Sequence, residues 1–78
     1  GLLQKSYELF VDIPDEPGAL ATIATLLAFR QINIKNIGIT HNREVGEGAL
    51  QIELWEEKDI QNACDVLTAK GYIVHVKE

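Results

Sequence analysis

The stretch Asp12-Ile13-Pro14-Asp15-Glu16-Pro17-Gly18-Ala19-Leu20 decides the fold, together with Ile32-Asn33-Ile34, whose asparagine follows Gly18 by fifteen residues. The first piece ends a strand in a rigid turn and opens a helix. Pro14 and Pro17 lack the N–H that a strand ladder needs. Pro17 also suits the first turn of a helix, where that N–H would find no partner. The second piece starts the next strand. With the helix packed back on the sheet, Asp15, Gly18 and Asn33 are expected at one edge of the domain.

Outward from this stretch the apolar spacing supplies the other elements. Tyr7, Leu9, Val11 and Ile13 alternate with Glu8, Phe10 and Asp12, which is a strand period. Leu20, Ile23, Ala24 and Leu27 recur at helical spacing over Gly18–Phe29, and Ile60, Ala63, Cys64 and Leu67 repeat the pattern over Glu57–Ala69. The second helix has an acidic start and a Lys70-Gly71 end, both suited to a helix. Strand two is expected at Ile32–His41. Its apolar phase slips between Ile34 and Ile37, so a bulge is expected near Asn36. Asn42–Gly48 reads as a hairpin loop, Ala49–Trp55 as strand three and Tyr72–Lys77 as strand four.

The order β-α-β-β-α-β with right-handed crossovers gives an α+β, ferredoxin-like domain. Its four-stranded antiparallel sheet has strand order 4-1-3-2, with both helices on one face. Parity puts Phe10, Gln51, Glu53, Trp55, Ile73 and His75 on the other face, and its three large apolar groups suggest that this face is covered.

Composition excludes several functions. A chain of 78 residues is one small domain, and its 46% apolar and 24% charged residues are ordinary for a globular fold. The formal net charge of −5 gathers no phosphates, which argues against nucleic acid and anionic membrane surfaces. One cysteine allows no internal disulfide and is compatible with a reducing, cytoplasmic setting. No apolar run approaches a membrane span. The first loop holds neither a Cys-x-x-Cys pair for a carried metal nor an arginine for an acyl phosphate. His41 and His75 sit on different strands without a metal-ligand pattern. Cys64, on the apolar stripe of helix two, is expected to be a buried packing thiol. No catalytic residue and no metal ligand is expected.

The chemistry of the corner suits a small zwitterion. A carboxylate is drawn to the free N–H groups at a helix start. Gly18 has no Cβ, so a ligand can approach its backbone. An ammonium is drawn to Asp15 or to the Asn33 amide oxygen. The plainer alternatives stand beside this: Pro17-Gly18 as a helix start only, Asn33 as a cap between helix and strand, and Arg43-Glu44 as a solvated hairpin pair.

The same residues carry a resemblance. Val11–Leu20, the helix and Ile32-Asn-Ile-Lys-Asn-Ile37 resemble the ACT domain, a small regulatory module that binds amino acids. Ile34–Glu44 with Gly48–Ile52 is similar to the C-terminal ACT domain of bacterial prephenate dehydrogenases. The resemblance implies one regulatory domain over residues 1–78, a C-terminal piece of a larger enzyme with NAD in its catalytic domain. It implies no cofactor and no catalysis in these residues. Its ligand would be an amino acid, tyrosine first and another aromatic next, in feedback control of tyrosine biosynthesis. Carried over residue by residue, the contact set is Asp15, Glu16, Pro17, Gly18, Ala19, Leu20, Asn33, Ile34, Asn36 and Ile37. The expected partners are the free amino acid, the parent's catalytic domain and a second copy joined through strand two. Two positions depart from the family pattern. Gln31 stands where members often carry glycine, and Ile13 and Asp15 stand where some place histidine or asparagine. The competing readings are a pure assembly module with a vestigial site, and the ACT domain of another enzyme of amino-acid metabolism.

Overall fold

A computed structural model describes residues 6–13, 18–42 and 47–77 of the chain. Strand β1 spans Tyr7–Asp12, helix α1 Ala19–Phe29, β2 Ile34–Asn42, β3 Glu47–Leu54, α2 Lys58–Ala69 and β4 Ile73–Val76. The sheet order is β2-β3-β1-β4, with every neighbouring pair antiparallel. The ferredoxin-like reading therefore holds, and β2 and β4 are the edges.

One core joins sheet and helices. Leu9 and Val11 of β1 and Leu50, Ile52 and Leu54 of β3 pack with Ile23 and Leu27 of α1 and Ala63, Val66 and Leu67 of α2. Each large side chain fully buried here contributes about 1.5–3 kcal/mol. The helical stripes differ slightly from their expected composition. Leu20 is 44% exposed. On α2, Val66 is buried and Cys64 is only half-buried, so the stripe is rotated toward Val66 and the thiol is not enclosed.

Strand β2 begins at Ile34 rather than Ile32, because the preceding residues finish α1. The Gln31 N–H donates to the Ala28 carbonyl at 2.9 Å and the Ile32 N–H to the Leu27 carbonyl at 3.0 Å. This double bond pattern needs a left-handed residue between them, and Gln31 adopts it at φ 56. α2 ends the same way. The Gly71 N–H donates to Thr68 at 2.9 Å, the Tyr72 N–H to Leu67 at 3.1 Å, and Gly71 has φ 95. The expected irregularity in β2 is present as a register shift between Ile34 and Asn36. Strands β2 and β3 pair out to Asn42 and Glu47, so the hairpin loop is shorter than expected. Strand β4 covers only Ile73–Val76, the four residues that pair with β1.

Candidate functional site

Gly18 starts α1 in a left-handed conformation, φ 85, with open space where a side chain would stand. It offers no side chain to cap the helix, and the first turn of α1 contains no acid. The Thr22 N–H returns to the Gly18 carbonyl at 2.9 Å. The N–H groups ahead of it have no partner within the helix. They present a partial positive charge that α1 does not itself neutralise. Ala19 is half-buried and Leu20 exposed beside them. Asp15, Glu16 and Pro17, expected to complete this corner, lie outside the described residues, as do Arg43 and Glu44 of the hairpin.

The structure does not bring Asn33 to this corner within one chain. Asn33 is exposed and follows the terminal turn of α1, and the helix between it and Gly18 has 11 residues. At 1.5 Å per residue that is about 16 Å. The sheet gives the same separation. Ile34 is level with Leu54 and Tyr7, whereas Gly18 follows the far end of β1, where Asp12 is level with Ala49 and Thr40. The expectation that both residues meet at one edge of a single chain fails because β1 and β2 run in the same direction. The helix that joins them must traverse the whole sheet. Asn33, Ile34, Asn36 and Ile37 thus form one group at the start of β2, and Gly18, Ala19 and Leu20 form another at the opposite end. In the first group Asn36 is exposed and Ile34 and Ile37 are half-buried against the core.

The first group lies at the start of β2, whose outer edge is open. Among the described residues this strand pairs only with β3, and from Asn36 to Asn42 it carries no Asp, Glu, Lys or Arg. Gly38, its middle residue, has open space around it.

The sheet face without helices carries a polar network that the alternation of strand residues did not reveal. Glu8 is 7% exposed and its carboxylate accepts from the Gln51 Nε2 at 2.6 Å. The Lys77 Nζ lies 2.9 Å from the same carboxylate. The hydrogen bonds from Lys77 and Gln51 hold the Glu8 carboxyl below its ordinary range, and the Glu8 hydrogen bond pushes the Lys77 ammonium up. Glu53 accepts from the Ser6 hydroxyl at 2.9 Å and sits 3.7 Å from the Lys35 Nζ, which lies 5.1 Å above the Trp55 ring. His75 Nε2 is 3.6 Å from Asp12. Trp55 and Ile73 stay exposed among these pairs. The network ties strands together. The signal for it was Glu8 at an inner position of a central strand, opposite Glu53.

Burial, and next the Asp65 charge, push the Cys64 thiol up, away from a reactive thiolate. Among the described residues no cluster of three metal-ligating side chains forms. A shallow cleft lined by Tyr7, Ile60, Gln61 and Val76 lies at the end of the sheet remote from Gly18.

No protein-family model matches the chain. It is 36% identical over 71 residues to a prephenate dehydrogenase of Bacillus subtilis (strain 168), a match that covers 91% of this chain. It is 37% identical over 68 residues to a prephenate dehydrogenase of Lactococcus lactis subsp. cremoris (strain MG1363), covering 86% of this chain. The chain spans 19% of the length of each of these curated relatives. Among solved structures it is similar to the ACT domain of prephenate dehydrogenase tyrA from Bacillus anthracis. That likeness has 35% identity and a TM-score of 0.76, and it covers 87% of this chain and 99% of that one.

Proposed function

The chain belongs to the ACT-domain family, and on that premise we propose that it is a regulatory module which binds an aromatic amino acid, tyrosine first, and performs no catalysis itself. Residues 1–78 form one domain of a longer cytoplasmic protein, an NAD-dependent prephenate dehydrogenase under feedback control. The observation that carries this reading is the 35% identity extending over 99% of a prephenate dehydrogenase ACT domain. NAD belongs to the parent's catalytic domain, and these residues hold no cofactor.

The ligand seat is built from two copies. A free amino acid presents its carboxylate and ammonium about 2.5 Å apart, roughly two backbone bonds. Gly18 and Asn33 of one chain, separated by about 16 Å of helix, cannot both hold it. Two β2 edges paired antiparallel about a two-fold axis solve the geometry. Full overlap of Ile34–Asn42 places the start of one β2 beside the end of the other, the end that lies nearest Gly18. The helix-start N–H groups after Gly18 then receive the carboxylate. The partner subunit's Asn33 accepts from the ammonium, with Asp15 as the second acceptor. Binding tightens the pairing, and the catalytic domain senses it through a coupling free energy of about 1–3 kcal/mol.

Mixed-chain calorimetry with L-tyrosine and L-phenylalanine tests this. Asn33→Ala alone abolishes binding with little change in melting temperature, and Ala19→Glu, which places an acid where the carboxylate docks, abolishes binding without destabilising the fold. A mixture of the two variants regains binding, because half the seats in the mixed pair combine an intact Ala19 corner with an intact Asn33. Lys58→Ala, a change at an exposed side chain of α2, leaves binding untouched. Two variants that stay silent when mixed exclude a seat shared between chains. A wild type that pairs but binds neither amino acid makes the chain an assembly module.

A further inference from the structure

We propose that the outer face of α1 is a second self-association surface, on which the α1 of another copy packs antiparallel about Thr25 and joins two β2-paired dimers into a four-chain assembly; the proposal rests on the β2 pairing above. α1 carries no charged residue from Ala19 to Phe29. With Ile23 and Leu27 buried, Ala21, Thr22, Thr25, Ala28 and Phe29 fall on the opposite side of the helix, and all five are exposed. Phe29 is 82% exposed, the most of any large apolar side chain described. The next residue in sequence, Arg30, donates to the Asn62 Oδ1 of α2 at 3.3 Å. α2 provides the contrast. Its outward side has Gln61 and Asp65, bonded to one another at 2.8 Å, and an exposed Lys58. A helix without a charged flank has the pattern of one covered on both sides.

A second copy is the occupant that this face fits. Ala21, Thr25 and Phe29 follow at intervals of four and form one ridge, of the kind that packs against its counterpart on a facing helix. A two-fold axis through Thr25 sets Phe29, the largest group, against Ala21 of the other copy, and Ala28 against Thr22. Thr25 meets itself, and a threonine hydroxyl covered there can donate to a carbonyl of its own preceding turn. Such a contact is isologous and closes on itself. The face lacks the charges that an acidic or basic partner would need. Area decides which species meet. A mostly exposed phenylalanine and four small side chains offer roughly 300 Å² per chain, against about 800 Å² per partner in a stable complex. Two single chains are therefore not held by α1 alone. A β2 pair formed about an axis perpendicular to its sheet presents both α1 helices on one side. Two such pairs meeting on that side make the contact twice and bury about 1,200 Å² in total, the lower end of specific interfaces.

Sedimentation of the 78-residue chain over a range of concentrations tests this. No amino acid is present, so the outcome is independent of what the seat binds. Wild type is expected to pass from two chains to four as concentration rises. Phe29→Glu raises the midpoint of that step by on the order of tenfold or more and leaves the pair intact. Thr25→Glu and Thr25→Lys each set like charges across the axis and stop at two chains. An equal mixture of these two variants regains the four-chain species, because each glutamate then faces a lysine. Ile73→Glu, the same apolar-to-acid change at an exposed site of the helix-free face, leaves assembly as in wild type. Melting temperatures check that every variant folds. A wild type that stops at two chains overturns the inference and leaves the β2 pairing standing. So does a four-chain species that survives Phe29→Glu, or a Thr25 mixture that stays at two chains. A wild type that remains a single chain at every concentration overturns the β2 pairing and this inference together.

Discussion

Gly18 and Asn33 stand at opposite ends of α1, one before its first residue and the other four positions beyond its last, so a single chain divides its candidate contact residues between the two ends of its sheet. The division follows from the crossover that makes β1 and β2 parallel. In the proposed pair the β2 edge is the seam along which such a site is completed.

The exposed start of α1 gives substitutions of opposite sign in stability and binding. An acid in the first turn of a helix favours it by about 0.3–1 kcal/mol. Ala19→Glu is therefore expected to raise the melting temperature by a few degrees, on the order of 4–8 °C per kcal/mol for a domain this size. The same variant is expected to lose amino-acid binding. Thermal denaturation with and without L-tyrosine measures both, and a destabilised variant that still binds would contradict the placement of the carboxylate.

Gly38 is the central residue of β2, so full overlap of two β2 strands about a two-fold axis sets it opposite its own copy. Gly38→Lys puts two like charges across that seam, an arrangement that opposes strand pairing. Open space at this position means that the single chain itself should fold normally. Sedimentation is expected to show a monomer where wild type pairs, with amino-acid binding lost in parallel. Pairing that survives the lysine would move the interface away from β2.

Gln31 and Gly71 occupy equivalent left-handed positions at the ends of α1 and α2, with φ 56 and φ 95. A side chain in this conformation costs about 1–2 kcal/mol that glycine avoids. Gln31→Gly should stabilise the domain by about 1 kcal/mol, and Gly71→Ala should destabilise it by a similar amount. Urea midpoints distinguish the two directions. No gain from Gln31→Gly would mean that the Gln31 side chain contributes an offsetting interaction.

Glu8 couples the sheet to pH. Its folded-state carboxyl is held below the ordinary value of 4.5. The stabilisation is therefore present above the unfolded-state value and is lost as pH falls through the lower folded-state value. Glu8→Gln should flatten that acid limb of the urea-midpoint profile and lower stability near neutral pH, where the ion pair with Lys77 is intact in wild type. Lys77, whose ammonium is raised, contributes below its ordinary value and loses that contribution as pH rises through the higher folded-state value. An acid limb unchanged by Glu8→Gln would transfer the pH dependence to other carboxylates.

The sequence by itself determined the element order, the strand order and an irregularity near Asn36; the left-handed helix end at Gln31 was decided by the structure. The first three rest on local chemistry: apolar period, proline and glycine geometry, and the handedness of crossovers. The sequence also marked Gly18 and Asn33 as the residues suited to a zwitterion. Only the tertiary structure decided how far apart they lie, because the distance depends on how strand directions combine across the sheet. It also decided that Glu8 is buried and held by Gln51 of β3 and by Lys77 just past β4, a meeting that no single strand's alternation contains. Leu20 sits on the same apolar stripe as Ile23 and Leu27, yet the sheet leaves it uncovered. A helical period registers which residues share a face but not what the neighbouring layer is wide enough to bury.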